Sequence, residues 1–245
     1  MLEVKGVGFR YGARSVLADI SLQFATGANL LLGRNGAGKT TLLRILAGAV
    51  APTAGTVLLD GQLSGGSTRL GRRLLGNIGW LPQDFGYPPR MTVREFAAYA
   101  AWLKAAPPKT IPQKVDFALQ VVDLGDRAGC SLGSLSGGQL RRAGLAAALA
   151  GDPAVLILDE PTAGLDPEQR DTFHQLVQRL KEHKTVIVAT HLLEDVEALA
   201  GRVVIIDQGA VRWSGSLPEL SLLGGEDSSL AALRTAFHKV VSGAS

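Results

Sequence analysis

Apolar residues fall along this chain in two rhythms. Between residues 2 and 26 they alternate loosely with polar ones: Leu2, Val4, Val7, Phe9 and Tyr11, then Val16-Leu17, Ile20, Leu22 and Phe24. Alternation is the period of a half-buried strand, and with turns expected at Gly6 and Gly12 it predicts two or three strands. A turn is expected at Pro52–Gly55, then a strand over Thr56–Leu59 ended by an Asp60-Gly61 turn. Together these segments predict an antiparallel sheet. Elsewhere the apolar residues run unbroken: Leu30-Leu31-Leu32, Val155-Leu156-Ile157-Leu158, Thr185–Ala189 and Val203–Ile206, with a shorter run at Ile78–Leu81 stopped by Pro82. Such runs are expected of parallel strands covered on both faces.

Helical spacing separates the runs. Leu42–Ala47 reads as a helix stopped by Gly48, and a basic helix-like stretch is expected over Thr68–Leu75, after a Gly65-Gly66-Ser67 loop. Thr92-Val93-Arg94-Glu95 is a capping box that starts a helix running to about Lys104. Pro107-Pro108 and Pro112 mark a linker, and Val115, Ala118, Leu119 and Val122 share a helical face. Further helices are expected over 167–182 and 192–200. Leu230, Leu233, Phe237 and Val240 form a last stripe, expected to pack on the main body. Strand alternating with helix predicts an α/β core. Residues from about 84 to 150 are mainly helical and form a candidate helical subdomain. The expected organisation is one domain over 1–220 and a C-terminal helical tail over 221–245.

Composition narrows the classes. Of 245 residues 46% are hydrophobic and 19% charged, which supports a sizeable core and argues against disorder. The net charge of +3 comes without an arginine-rich tract interleaved with aromatics, so no nucleic-acid partner is expected. The single cysteine, Cys130, excludes an internal disulfide and a cysteine metal cluster, and fits a reducing compartment. Met1–Lys5 lacks the character of a signal peptide, and the nearest approach to a membrane span, Ala143 to Leu158, is broken by Gly151-Asp152-Pro153. A soluble chain is expected, one that reaches a membrane only through a partner.

The chemistry is concentrated in three places. Gly33-Arg34-Asn35-Gly36-Ala37-Gly38-Lys39-Thr40-Thr41 reads G-x-x-x-x-G-K-T between an apolar strand and a helix. The glycines let backbone N–H groups approach phosphate oxygens, and the helix behind them aims its positive end at the same place. Lys39 supplies a mobile charge for the β- and γ-phosphates, and the Thr40 hydroxyl is placed to hold Mg²⁺. Asp159 and Glu160 close the strand that ends at Leu158. Downstream of a phosphate loop, the first carboxylate of such a pair holds Mg²⁺ through its waters and the second polarises an attacking water. In Leu135-Ser136-Gly137-Gly138-Gln139, Ser136 and Gln139 form a capping box, and the two glycines leave the first N–H groups of the helix uncovered. That makes a second candidate phosphate-binding helix end.

These motifs in this order resemble the ATP-binding subunit of ABC transporters, and the resemblance covers roughly residues 2–215. The Gly33–Thr41 loop matches the Walker A motif of that family, Leu135–Gln139 its signature motif and Val155–Glu160 its Walker B strand. The resemblance implies that Gln83 contacts Mg²⁺ or the attacking water, that Ala163-Gly164-Leu165-Asp166 crosses to an opposite subunit, that His191 lies near the γ-phosphate and that Tyr11 stacks on adenine. It further implies a P-loop NTPase fold, with a doubly wound, mainly parallel core, an antiparallel β subdomain and a helical subdomain. Two subunits, expected to be a homodimer, would meet head to tail, each ATP held by Walker A of one and the signature of the other. Separate transmembrane permease subunits would be driven from the inner face of the membrane, on the cytoplasmic side, with export favoured over import. A soluble relative of the same family, working for example in cluster assembly, is the alternative.

Overall fold

A computed structural model describes residues 1–63, 74–199, 201–225 and 229–243. The expected Gly65–Ser67 loop and most of the expected Thr68–Leu75 helix lie outside those residues. Ten strands and eight helices are named here among the described residues. The order is β1 (Leu2–Tyr11), β2 (Arg14–Phe24), β3 (Gly27–Leu32), α1 (Lys39–Leu46), β4 (Ala54–Leu59), β5 (Gln62–Leu63) and β6 (Ile78–Leu81). Then come α2 (Val93–Leu103), α3 (Ile111–Val121), α4 (Gly137–Leu149), β7 (Val155–Asp159), α5 (Pro167–Leu180) and β8 (Thr185–Thr190). The chain closes with α6 (Leu193–Leu199), β9 (Arg202–Asp207), β10 (Ala210–Ser216), α7 (Leu217–Gly224) and α8 (Leu230–Ser242).

The strands form two sheets. One has the order β2-β1-β4-β5 and is antiparallel throughout. The other has the order β10-β9-β3-β8-β7-β6; its pairs are parallel except β9–β10, an antiparallel edge closed by a Gln208-Gly209 turn with both residues at positive φ. This is the α/β fold the sequence predicts.

The period-two rule of a strand divides the core. Leu30 and Leu32, Leu156 and Leu158, Val186 and Val188 point to one face of the large sheet, where α2–α8 pack. Leu31, Val155, Ile157, Ile187 and Ala189 point to the other, where α1 lies between the large sheet and the antiparallel one. Both faces are covered, which explains why these runs are apolar without interruption. In α8, Leu233 and Ala236 join the first cluster, with Phe237 and Val240 packed beside them, so the last stripe does lie on the body of the protein.

Two local expectations are corrected. Gly6 is not a turn: β1 runs through it with a register shift between Val4 and Val7, and Gly6 has φ +60°. Residues 2–26 therefore give two long strands whose hairpin turns at Gly12. Likewise Ala54 and Gly55 already belong to β4; a Cβ on Gly55 would collide with the main chain of Lys5 and Gly6, and its φ is +75°. In both cases glycine marks a bulge where neighbouring backbones come close.

The connection from β6 runs through an irregular 83–90 segment to α2, whose Thr92–Glu95 capping box is formed. Helix α4 begins with a second such box, Ser136–Gln139, and α5 is capped by Asp166, whose carboxylate accepts from the Gln169 N–H at 2.8 Å.

Candidate functional site

Because the strands of the large sheet are parallel, their carboxyl ends share one edge. The Gly33–Thr41 loop follows β3, Asp159 ends β7, Thr190 ends β8 ahead of His191, and Gln83 lies two residues past β6. A cleft of about 530 Å³ opens there, lined by Tyr11, Asn35–Thr41, Gln83, Glu160 and His191, with Arg14 and Arg34 at its margin. Crevices outside the carboxyl ends of parallel strands are the usual ligand sites of open α/β sheets.

The loop is shaped by close approach. A Cβ on Gly33 would strike the Ile206 carbonyl of β9, and Gly36 and Gly38 have φ of +80° and +106°. The Ala37 carbonyl accepts from the Gly209 N–H at 3.0 Å, so the β9–β10 turn braces the loop from behind. Lys39 is buried. Its Nζ donates to the Gly33 carbonyl at 2.7 Å and lies 3.3 Å from Glu160 Oε1. The other oxygen of Glu160 is 2.8 Å from His191 Nδ1, and the His191 ring is part exposed to the cleft. Glu160 itself has φ +46°, an uncommon conformation for a residue with a side chain.

Asp159 is almost fully buried, and burial pushes its carboxyl above the usual carboxylate range despite the Thr40 hydroxyl at 3.3 Å from Oδ1. Its Oδ2 has no hydrogen-bond partner among the described residues. A buried, unpaired carboxylate oxygen beside a hydroxyl is a donor set that suits a hard divalent cation. Tyr11 is half exposed. Its ring packs edge-on against Phe9 at 4.8 Å, and its other surface borders the cleft.

Ser136–Gln139 are not brought to this cleft. Ser136, Gly138 and Gln139 line a separate depression of about 350 Å³ together with Asp166 and Gln169. Gly137 is open, but a Cβ on Gly138 would strike the Gln169 side chain, so only the first of the two glycines is uncovered.

The profile of the ABC transporter family matches residues 17–163. The chain belongs to that family. It is 42% identical over 190 residues to the uncharacterised ABC transporter ATP-binding protein YxlF of Bacillus subtilis, a match covering 78% of this chain and 62% of that protein. It is 39% identical over 214 residues to the Nod factor export ATP-binding protein I of Paraburkholderia xenovorans, covering 85% of this chain and 68% of that one. Among solved structures, a dimeric bacterial ABC transporter cassette superposes with a TM-score of 0.78 at 26% identity, over 88% of this chain and 98% of the cassette. The cbiO1 protein of Clostridium perfringens, part of an ABC transporter complex, superposes at 0.77 with 30% identity, covering 89% of each chain. The chain thus spans 62% of the length of the Bacillus subtilis relative.

Within this ABC fold two features escape a reading of the sequence. Arg141, one turn into α4, is buried and reaches the backbone of Pro82, Gln83, Asp159, Glu160 and Pro161. Asp195 of α6, fully buried, accepts from the Thr162 and Thr190 hydroxyls at 2.7 and 2.6 Å and lies 2.8 Å from His174 Nε2. Thr162 is two residues after Glu160, and Thr190 immediately precedes His191. One carboxylate therefore ties together the segments that carry both. No local signal marks either residue, since most of their partners come from distant parts of the chain.

Burial opposes the charge of Asp195, but hydrogen bonds from His174, Thr190 and Thr162 outweigh it and hold the carboxyl below its usual range. A carboxylate whose pKa is depressed on folding contributes stability above its unfolded pKa, about 3.9, and loses it as pH falls through the folded value. Asp195→Asn is expected to lower the unfolding free energy at neutral pH by about 1–3 kcal/mol, by leaving buried groups mispaired. It should also flatten the acid limb below about pH 4, as read from urea unfolding curves taken across that range.

Proposed function

We propose that this chain is the ATP-binding and hydrolysing subunit of a membrane transporter, and that it works as a head-to-tail dimer. One observation carries the reading: the two helix ends suited to phosphate, at α1 and α4, open into separate depressions of the same chain. Each supplies backbone N–H groups and the positive end of a helix. Neither can complete the other without a second copy. In that arrangement Gly33, Asn35, Gly36, Ala37, Gly38, Lys39, Thr40 and Thr41 hold the phosphates of one ATP, Tyr11 takes the adenine, and Ser136, Gly137, Gly138 and Gln139 of the opposite subunit close the site. Asp166, already a helix cap, borders that second depression and would contribute at the same interface.

Glu160 is the general base in this reading. Its carboxylate is held between Lys39 and His191 in the lining of the cleft, placed to act on a water directed at the terminal phosphate. His191 orients Glu160 and faces the same phosphate. Thr40, Asp159 and Gln83 are the residues that would hold Mg²⁺, which supplies charge neutralisation for the phosphate oxygens when bound.

The membrane partners would dock near the 83–90 segment and α2, where Tyr99 and Trp102 form an exposed aromatic stack at 6.1 Å. Export is favoured because relatives include several proteins named for Nod factor export. A peripheral location on the cytoplasmic face follows from that role, and no helix among the described residues is long and apolar enough to cross a membrane.

Glu160→Gln should bind ATP, hydrolyse it at least ~100-fold more slowly and elute as an ATP-dependent dimer in gel filtration; turnover at the wild-type rate would remove Glu160 from the role of base. Ser136→Arg should abolish hydrolysis while the monomer still binds a fluorescent ATP analogue, and full activity in that variant would refute the composite site. For Asp159 the sign is the reverse of Asp195. A carboxyl whose pKa is raised on folding costs stability while ionised, and the cost is relieved as pH falls through the folded value. Asp159→Asn should accordingly melt no lower than the wild type without ligand at neutral pH. It should lose the Mg²⁺-dependent part of the nucleotide-induced rise in Tm, a rise worth ~2.7 kcal/mol at ligand a hundredfold above Kd.

A further inference from the structure

The guanidinium of Arg141 is buried with all five N–H groups in use, and every acceptor is a main-chain carbonyl. Nε donates to Pro161 at 3.2 Å, Nη1 to Pro82 at 2.8 Å and Gln83 at 2.6 Å, and Nη2 to Asp159 at 2.7 Å and Glu160 at 2.9 Å. No carboxylate accepts from it among the described residues. Burying a cation costs several kcal/mol unless its donors are satisfied, so a side chain placed this way is held by a complete set of bonds or not at all. Burial lowers its proton affinity, while the nearby charges of Asp159, Asp84 and Glu160 work in the opposite direction.

What the fork joins is specific. Three consecutive carbonyls, of Asp159, Glu160 and Pro161, bracket the residue whose φ is +46°. Two more, of Pro82 and Gln83, lie where β6 gives way to the 83–90 segment. The side chains of Glu160 and Gln83 are left out of the clasp, and both line the cleft. Arg141 itself sits on α4, five residues from Ser136, at the end that opens into the second depression. We propose that Arg141 is a positioning residue: it fixes the backbones of Gln83 and Glu160 to helix α4, so that the general base, the cleft glutamine and the Ser136 helix end move as one body. A lysine could keep the charge but not this reach, because it offers three donors from a single point instead of five in a planar fork.

The proposal rests on Glu160 acting as base in ATP hydrolysis. Its test compares wild type, Arg141→Lys, Arg141→Gln, Glu160→Gln and the double variant Arg141→Lys/Glu160→Gln for nucleotide Kd, by fluorescent ATP analogue, and for steady-state kcat and KM. Both Arg141 variants should keep Kd and KM within about twofold, because Lys39 and the phosphate loop do not touch Arg141. They should lose ~10–100-fold in kcat, the scale set by a displacement of about 1 Å at a reacting group. The double variant should lose less relative to Glu160→Gln than Arg141→Lys loses relative to wild type, because the base that the clasp positions is already removed. Unchanged kcat in Arg141→Lys, a parallel loss of affinity and turnover, or additive losses in the double variant would each overturn the proposal. Should Arg141→Gln not fold, Arg141→Lys and the double variant decide. A wild-type chain that binds ATP without hydrolysing it overturns the assigned function and this proposal together, whereas an active wild type with insensitive Arg141 variants overturns the proposal alone.

Discussion

Strands β3, β7 and β8 are buried on both faces, so their side chains are apolar almost to the last residue. Apart from Asn29, whose amide is taken up by nearby carbonyls, polar side chains enter these strands only at their ends. Parallel pairing puts all the carboxyl ends on one edge, and β8 lies between β3 and β7, so three chain ends converge within two strand spacings, on the order of 10 Å. The phosphate loop, the Asp159-Glu160 pair and His191 are neighbours for that reason. Their separation along the sequence, from residue 33 to residue 191, is a consequence of the crossover helices a parallel sheet requires.

Convergence alone leaves charges of one sign together in a poorly solvated place. Asp159 and Glu160 are adjacent, and each is nearly buried. The structure offsets this in two ways. Lys39 sits beside Glu160, and the main-chain carbonyls around the pair are taken up by Arg141, whose positive charge lies behind the strand end and away from the cleft. The carboxylates are left facing the loop, where a cation or a proton acceptor role has most effect. Asp195 does similar work nearby, joining Thr162, His174 and Thr190 through one buried carboxylate.

Much of this was legible in the sequence because it is local. The phosphate loop is nine contiguous residues, the capping boxes at Thr92 and Ser136 span four residues each, and the buried runs carry their own signal in Val155–Leu158 and Thr185–Ala189. Periodicity gave every strand of the large sheet except the β10 edge a clear apolar core. It misplaced Gly6 and Ala54-Gly55, since a bulge and a turn use the same residue and differ only in whether a partner strand continues alongside. It could not see Arg141 or Asp195. An arginine in an alanine-rich helix and an aspartate in an acidic first turn look like ordinary solvated positions. Their burial depends on carbonyls and hydroxyls up to 59 residues away, brought in only when the sheet closes. Gly138 is a smaller case of the same kind: its lack of a side chain serves the packing of Gln169 from another helix.

The distance between the two phosphate-seeking helix ends bears on how a second copy would fit. If each subunit offers its α1 end to the other's α4 end, a twofold axis satisfies both contacts at once, because contact of residue i with j is repeated as j with i. The assembly then closes with two nucleotides and does not continue into a fibre. Nucleotide enclosed in such an interface binds the dimer more tightly than the separated chains, so part of its binding energy appears as association energy. Removing the terminal phosphate withdraws part of that energy from both subunits. Because Glu160, Gln83 and α4 are joined through one guanidinium in each chain, chemistry at one helix end has a short mechanical route to the other, through backbone hydrogen bonds and not through side chains that can change rotamer independently.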